Sequence, residues 1–320
     1  MTILITGAAG FIGSHTATAL LARGETIIGV DNLNDYYDVG LKETRLKQLR
    51  EHDRFTFIKA DIAEPSIQDK LSGLGIDRII HLAAQAGVRF SIESPRSYTH
   101  SNIAGQTEML ELARALKPQH MVYASSSSVY GANTKIPFAE DDRTDSPVSF
   151  YGATKKSCEL LSESYARLYG LKLTGLRFFT VYGPMGRPDM AYMIFARKIM
   201  AGEPIDVFGE GEMGRDFTYV DDCVAGIIAS LDNPPDGDPA HRVFNLGNDQ
   251  PESLGDFIGY LEEHLGRKAQ KNFLPMQPGD VRRTWADISR ARDLLGYDPK
   301  TSLKDGLGKF VDWYKEYYGN

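Results

Sequence analysis

"TILITGAAGFIGSH", Thr2 to His15, sets a short apolar run directly against three glycines, Gly7, Gly10 and Gly13, and then against a helix-patterned stretch. The run reads as a β-strand and the residues from Phe11 as a helix. Glycines at such a junction permit a tight turn, a close approach of phosphate to backbone, and tight seating of the helix on the sheet. The helix start presents unpaired amides and a positive dipole end to an anion. Asp31 ends the second apolar run, eighteen residues after Gly13. An acid there hydrogen-bonds adenosine ribose hydroxyls and repels a 2′-phosphate, so the pattern predicts NAD rather than NADP; the competing reading is a solvated turn aspartate. Gly7, Gly10, Phe11, Ile12, Gly13, Asp31 and Asn32 make up the expected cofactor end. Asp61 and Ile62, after the third run, are placed to bracket an adenine, and Asp61 reads equally as a helix-capping residue.

Outward from this stretch the rhythm repeats. Apolar runs at 2–6, 26–30, 55–59, 78–82, 120–124 and 172–178 alternate with helix-like segments near 11–22, 40–50, 66–72, 97–116 and 151–168. This order predicts an α/β fold, a Rossmann-type doubly wound parallel sheet with a smaller C-terminal lobe. Polar or small residues follow each run, so they gather along one sheet edge, where ligands bind at the topological switch point. After Thr180 the rhythm breaks into the glycine- and proline-rich "YGPMGRPDMA" (182–191). Residues 1–180 are expected to form the cofactor domain, with 216–245 returning to it as a strand and a capped helix. Residues 181–215 and 246–320 are expected to form the substrate lobe.

The bulk numbers exclude several classes. A net charge of -7 and a pI near 5.6 give no support for nucleic-acid binding. Cys158 and Cys223 are isolated, which argues against a disulfide framework, and the scattered histidines predict no metal site. His81 and His100 read as structural hydrogen-bonders. No apolar stretch reaches membrane-spanning length, no signal peptide is evident, and the expected setting is the cytoplasm.

Two features mark the reacting end. "YASSSSVYG" (123–131) follows the fifth run, so Ser125 to Ser128 are either a flexible tract or the hydroxyl-lined wall of a cleft. Tyr151 and Lys155 stand four residues apart, on one face of a helix beside that cleft. A phenol with a pKa near 10 is a poor base, and bringing it to neutrality takes about 4 kcal/mol, which nearby cations supply.

Together the glycine triplet, Asp31, "HLAAQ" (81–85), the serine segment, Tyr151 with Lys155, and "RFFTVYGP" (177–184) resemble the extended short-chain dehydrogenase/reductase family over essentially the whole chain. "NDYYDV" (34–39), "QAGVRFS" (85–91), "GRPDMA" (186–191) and "MQPGDV" (276–281) resemble its UDP-glucuronate 4-epimerases. The resemblance implies 4-epimerisation of a UDP-hexuronic acid, UDP-glucuronate to UDP-galacturonate, through a transient 4-keto sugar with NAD as hydride carrier. It implies that Tyr151 takes the 4-hydroxyl proton, that Lys155 also holds the nicotinamide ribose, and that Ser126 hydrogen-bonds the 4-oxygen. Leu82, Ala83 and Ala84 join the cofactor site. Arg215 matches a diphosphate contact and Asp280 a uridine ribose contact, while Gln277 stands where neutral-hexose epimerases often carry arginine. Val207 and Phe208 either frame the uracil or bury a strand edge. Arg89 and Arg187 are electrostatic helpers of the substrate or loop salt-bridge residues. The helices near 97–116 and 151–168 resemble those of a homodimer interface.

Absences choose the reaction. Related dehydratases carry an Asp-Glu pair at the positions of Ser127 and Ser128, and related decarboxylases a glutamate at the second. A 4-ketohexuronate is a β-keto acid prone to losing carbon dioxide, and neutral hydroxyls hold its carboxylate without adding a base. Ser127, Ser128 and Thr180 are therefore expected to grip that carboxylate. The alternatives are a UDP-glucose or UDP-N-acetylglucosamine 4-epimerase, then a decarboxylase, a 4,6-dehydratase, or a non-catalytic NAD-binding regulatory protein.

Overall fold

The computed structural model describes residues 1–211, 213–275 and 283–319. Its centre is a seven-stranded sheet built from β1 (Thr2–Thr6), β2 (Thr26–Asp31), β3 (Phe55–Lys59), β4 (Arg78–His81), β5 (His120–Ser126), β6 (Leu173–Phe178) and a strand from later in the chain, His241–Leu246. The order is β3-β2-β1-β4-β5-β6 followed by His241–Leu246, and every pairing is parallel. Chain direction across the sheet reverses between β1 and β4, which opens a crevice beyond their carboxyl ends.

Largely apolar strands suit a sheet covered on both faces, and alternate residues divide accordingly. Ile3 and Ile5 of β1 enter one core with Ile27, Ile80, Val122 and Leu176; Leu4 enters the other with Ile28, Ile79, Met121 and Leu173. The first core is closed by helices α1 (Phe11–Ala22) and α2 (Val39–Arg50). The second is closed by α3 (Ile67–Leu71), by a segment around Met109 and Leu110, and by a long helix, Phe150–Tyr169.

The helix expected near 97–116 is in three pieces. Short α4 (Phe90–Glu93) and α5 (Pro95–Tyr98) lead into a π-helical turn, Thr99–Ala104, and then α6 (Gly105–Leu116). The wide turn carries Asn102 to the backbone of Gln85, whose N–H it accepts at 2.8 Å and whose carbonyl it bonds at 3.1 Å. The serine run is equally ordered. Ser125 and Ser126 complete β5, paired with Arg177 and Phe178, and Ser127–Tyr130 form one 3-10 turn before α7 (Phe150–Tyr169).

Beyond β6 the chain makes β7 (Thr180–Tyr182), α8 (Ala191–Ala201), β8 (Ile205–Phe208) and β9 (Gly214–Tyr219). It then enters α9 (Val220–Asp232), which packs on α1 and on β5 and β6, and β10 (His241–Leu246), the edge of the main sheet. The cap expected on α9 is not a side-chain cap: Tyr219 at the N-cap provides no acceptor. Asp221 and Asp222 in the first turn answer the helix dipole instead. The remaining elements are β11 (Pro251–Ser253), α10 (Leu254–Leu265), β12 (Lys271–Leu274), α11 (Ser289–Leu295) and α12 (Leu303–Tyr318). β11, β9 and β7 form a small sheet, β12 pairs with β8, and Phe195, Phe217, Phe257 and Phe310 fill the space beneath. Among the described residues no helix is long and apolar enough to cross a membrane.

His120 of β5 ties these layers together in the dry interior. Its Nε2 lies 2.9 Å from Thr174 Oγ1 of β6 and its Nδ1 3.1 Å from the Leu231 carbonyl of α9. Burial pushes its pKa down to about 4. The unfolded chain therefore takes up a proton near pH 6.5 that the folded chain refuses until about pH 4, so stability falls as pH is lowered through that window. Relative to a His120→Asn variant, the wild type should lose about 1.4 kcal/mol per pH unit more there. Urea unfolding at several pH values reads it; parallel slopes for the two proteins would show that His120 titrates normally.

Candidate active site

The carboxyl edge of the sheet holds one deep cavity, and its geometry starts with the glycines. Gly7 has φ +72°, and a Cβ there would meet Ala83 N at 2.8 Å. A Cβ on Gly13 would lie 2.0 Å from the Gly7 carbonyl, so only glycine lets α1 seat this close to the strand exit. Gly10 is the N-cap of α1, supplies no side-chain acceptor, and no acid stands in the first turn. The opening amides are thus left to an incoming anion. Asp31 lies at the far end of this turn and is only 8% exposed, so it is not a solvated turn residue. Its Oδ2 accepts from Ala9 N at 3.1 Å and its Oδ1 from Leu33 N at 2.9 Å. Burial lifts its carboxyl pKa, against the pull of these bonds and of the Lys42 charge. Both oxygens retain acceptor capacity toward the cavity. A cradle that a Cβ would fill, uncapped helix amides and a buried acid fit a dinucleotide.

Asp61 lines the same cavity, and its carboxylate is engaged with Ala63 N, Asn32 Nδ2 and His100. The Ala63 bond closes a local turn; the N-cap of α3 is Ser66. Ile62, Leu82, Ala83 and Ala84 line the cavity with Gly7, Gly10, Phe11, Ile12, Gly13, Asp31 and Asn32.

The reacting end is set by α7. Its N-cap Ser149 accepts from Gly152 N at 3.0 Å, and a Cβ on Gly152 would lie 2.5 Å from the Ser128 carbonyl. The helix start therefore rests on the serine turn itself. Tyr151 and Lys155 both face the cavity. Lys155 is 4% exposed and donates to the Ala124 carbonyl at 2.9 Å, leaving two N–H groups for other acceptors. Tyr98, whose hydroxyl donates to the Ala86 and Gly87 carbonyls, packs edge-on against the Tyr151 ring at 6.0 Å. Ser126 lines the cavity, and its Oγ accepts from Ser128 N at 3.2 Å, which leaves its proton to donate. His81, 2.7 Å from Thr6 Oγ1, is held at a pKa of about 3 by burial and then by the Lys155 charge. It is a neutral hydrogen-bonding group at any ordinary pH.

Other expected residues lie elsewhere. Ser127, Ser128 and Thr180 are half-buried beside the cavity and do not line it. Arg187 does line it, and is paired with Asp189 at 2.6 Å; Asp189 also accepts from Tyr36 at 3.1 Å. Val207 is buried in the core on β8. Phe208 carries the Arg89 guanidinium 5.0 Å over its ring. Arg215 donates to its neighbour's carbonyl, Gly214 O, at 2.9 Å. Gln277 and Asp280 lie outside the described residues. Among the described residues no group of three or more His, Cys, Asp or Glu side chains could hold a metal.

Sequence reasoning passed over several residues. Asn34, Tyr36, Tyr37, Lys42 and Ser101 also line the cavity. Arg45 is fully buried and ties two loops together. Its Nη1 donates to Ala9 O at 3.0 Å in the glycine turn, and its Nη2 to Met185 O at 2.5 Å in the loop before Arg187. Nothing in a helical "KETRLKQLR" distinguishes Arg45 from its solvated neighbours. Glu159 could have been found, because it continues the Tyr151, Lys155 spacing by one more turn.

Residues 3–247 match the family described as NAD dependent epimerase/dehydratase. The chain is 49% identical to UDP-glucuronate 4-epimerase 4 of Arabidopsis thaliana over 333 residues, 99% of this chain and 76% of that protein. It is 46% identical to the probable UDP-glucuronate 4-epimerase of Rhizobium meliloti, over 99% of this chain and 98% of that one. The crystal structure of the Bacillus cereus UDP-glucuronic acid 4-epimerase with UDP-glucuronic acid and NAD superposes with a TM-score of 0.93 at 39% identity, covering 99% of this chain and all of the other. A parallel sheet with a glycine turn, a buried acid and a Tyr-Lys helix on one cavity, matched over this length, places the chain in the NAD dependent epimerase/dehydratase family.

Proposed function

We propose that the protein is a UDP-glucuronate 4-epimerase, interconverting UDP-glucuronate and UDP-galacturonate. The observation that carries this reading is the single cavity lined by the glycine turn, Asp31, Ser126, Tyr151 and Lys155, with hydroxyls rather than carboxylates at positions 127 and 128. Gly7, Gly10, Phe11, Ile12 and Gly13 would hold the NAD pyrophosphate and Asp31 the adenosine ribose, with Asp61 and Ile62 beside the adenine. When bound, NAD supplies reversible hydride acceptance at sugar carbon 4. Tyr151 takes the proton of the 4-hydroxyl and returns it to the 4-oxygen after the sugar has turned over. The Lys155 ammonium lies on the same helix face and would hold the nicotinamide ribose through the N–H groups that the Ala124 carbonyl leaves it. Ser126 Oγ accepts from Ser128 N through one of its two lone pairs, which leaves its hydroxyl proton to donate to the 4-oxygen.

The substrate would extend from this point toward residues 181–215 and 246–320, which we read as the substrate lobe on a cofactor domain of 1–180 with 216–245. Ser127, Ser128 and Thr180 do not line the cavity but directly adjoin its lining residues Ser126, Phe179 and Val181, and would hold the hexuronate carboxylate where the sugar extends past that wall, with the cavity-lining Arg187 beside them. Arg215 faces the diphosphate. The chemistry at positions 127 and 128 separates epimerisation from loss of carbon dioxide, because no carboxylate there assists departure of the substrate's own. The two cysteines are buried and unpaired, which suits a cytoplasmic setting. Leu160 and Leu168 on α7 are 59% and 68% exposed, an apolar stripe that fits a homodimer packed through this helix.

Incubation with UDP-glucuronate should give UDP-galacturonate of unchanged mass, without net absorbance growth at the NADH band. Preferential turnover of UDP-glucose, or release of carbon dioxide to a UDP-pentose, would overturn the assignment. Replacing Ser127 and Ser128 together by alanine should reduce kcat/KM for UDP-glucuronate by about tenfold or more while UDP binding stays within about twofold, as expected for lost hydrogen bonds to a charged group. Equal losses in both would remove the carboxylate role. Light scattering should return twice the 35.5 kDa chain mass, and Leu160→Asp with Leu168→Asp should return the monomer.

A further inference from the structure

The strongest polar cluster outside the cavity lies directly behind it. Arg177 of β6 and Glu159 of α7 form an ion pair with side chains 3% and 4% exposed. Arg177 Nε and Nη2 donate to Glu159 Oε1 and Oε2 at 2.8 and 3.0 Å, a two-point fork, and Ser125 Oγ donates to Oε1 at 2.7 Å. Arg177 Nη1 reaches Tyr130 at 3.0 Å and the Glu140 carbonyl at 3.1 Å. Burial alone would lift the Glu159 carboxyl, but Arg177 and Ser125 outweigh it and hold the pKa below the usual range. A buried pair of this kind is weak evidence for stability, since apolar residues of similar volume often serve as well. Its use must lie in what it aligns.

Tyr151, Lys155 and Glu159 lie one above another on the same face of α7, at successive spacings of four. Two of them fasten the helix to consecutive residues of β5: Lys155 to the Ala124 carbonyl and Glu159 to the Ser125 hydroxyl. The next residue on that strand is Ser126. A helix could slide or roll over an apolar contact by a fraction of an ångström at little cost, whereas a bidentate fork and a directed hydroxyl fix both its height and its rotation. We propose that Glu159, locked by Arg177, is a positioning residue that sets the register of α7 on β5 and so holds Tyr151 and Lys155 opposite Ser126. Arg177 and Glu159 do not line the cavity, so the pair acts only through the residues it places. This inference rests on the epimerase reading for its kinetic test and on geometry alone for its structural one.

Three variants separate positioning from plain stability. Glu159→Met with Arg177→Met removes both buried charges, strands only the part-exposed Lys156, which bonds Glu159 Oε2 at 3.1 Å, and is expected to fold. Its kcat for UDP-glucuronate should fall about a hundredfold, as for a misplacement near 1 Å, with KM within about threefold. Glu159→Gln keeps the volume and one acceptor oxygen but turns an amide N–H toward an Arg177 N–H, so it too breaks the fork and should lower kcat about tenfold at unchanged KM. Arg177→Lys keeps the charge and loses the fork, and should lower kcat about tenfold at unchanged KM; it decides the matter if the double variant does not fold. Wild-type kcat in the double variant, in Arg177→Lys or in Glu159→Gln would overturn the proposal. Should the wild type itself fail to turn over UDP-glucuronate, the functional assignment falls and crystal structures decide this one. The separation of Tyr151 from Ser126 should then change by more than about 0.5 Å in Arg177→Lys, and a smaller change refutes it.

Discussion

Everything at the ligand edge depends on one missing atom. A Cβ on Gly13 would lie 2.0 Å from the Gly7 carbonyl, so α1 sits where it does because that atom is absent. The close seat aims the start of α1 along the crevice between β1 and β4, and a helix start is a source of positive potential only where its amides point. The same closeness brings Ala9 N within reach of Asp31, whose buried carboxylate ties the turn to the end of β2. Strand order, glycine turn and acid are therefore one construction: moving α1 outward by an ångström would break the tie to Asp31 and turn its amides off the crevice.

Much of this was legible in the sequence, for a physical reason. Strands buried on both faces are mostly apolar, so β1 to β6 announce themselves as runs even though β3 leaves Thr56 and Lys59 exposed and β5 and β6 bury His120 and Arg177, and backbone that approaches backbone must be glycine. The cofactor-side residues chosen on that basis all line one cavity. Tyr151 and Lys155 were found because helical spacing of four is a geometric statement as well as a motif. The substrate side was less legible. Residues such as Val207 and Phe208 sit on short strands whose pattern is the same whether they face a ligand or a core, and Val207 faces the core. Arg187 illustrates both readings at once, lining the cavity while paired with Asp189.

Long-range polar ties were the least legible of all. Glu159 meets Arg177 across eighteen residues, with only its helical spacing from Lys155 to hint at it, and Arg45 meets Met185 across 140 without differing in type from the solvated charges around it. Composition cannot distinguish an arginine that spends its donors on carbonyls from one that spends them on water. The π-helical turn at Thr99–Ala104 belongs to the same class. Its sequence is ordinary helix, and the turn coincides with a tertiary engagement, the grip of Asn102 on Gln85.

Arg45 carries a consequence for how the molecule opens. Its guanidinium bonds the glycine turn through Ala9 and the following loop through Met185 and Gly186, while His15 of α1 bonds Pro184 in the same loop at 3.0 Å. The glycine turn and the loop leading to Arg187 are thus laced to each other through Arg45 and His15. A reaction that restores its cofactor every cycle has no need of an exit for it. The lacing leaves sugar traffic to the open rim of the cavity and sets a tax of several buried hydrogen bonds on any movement that would let the dinucleotide go.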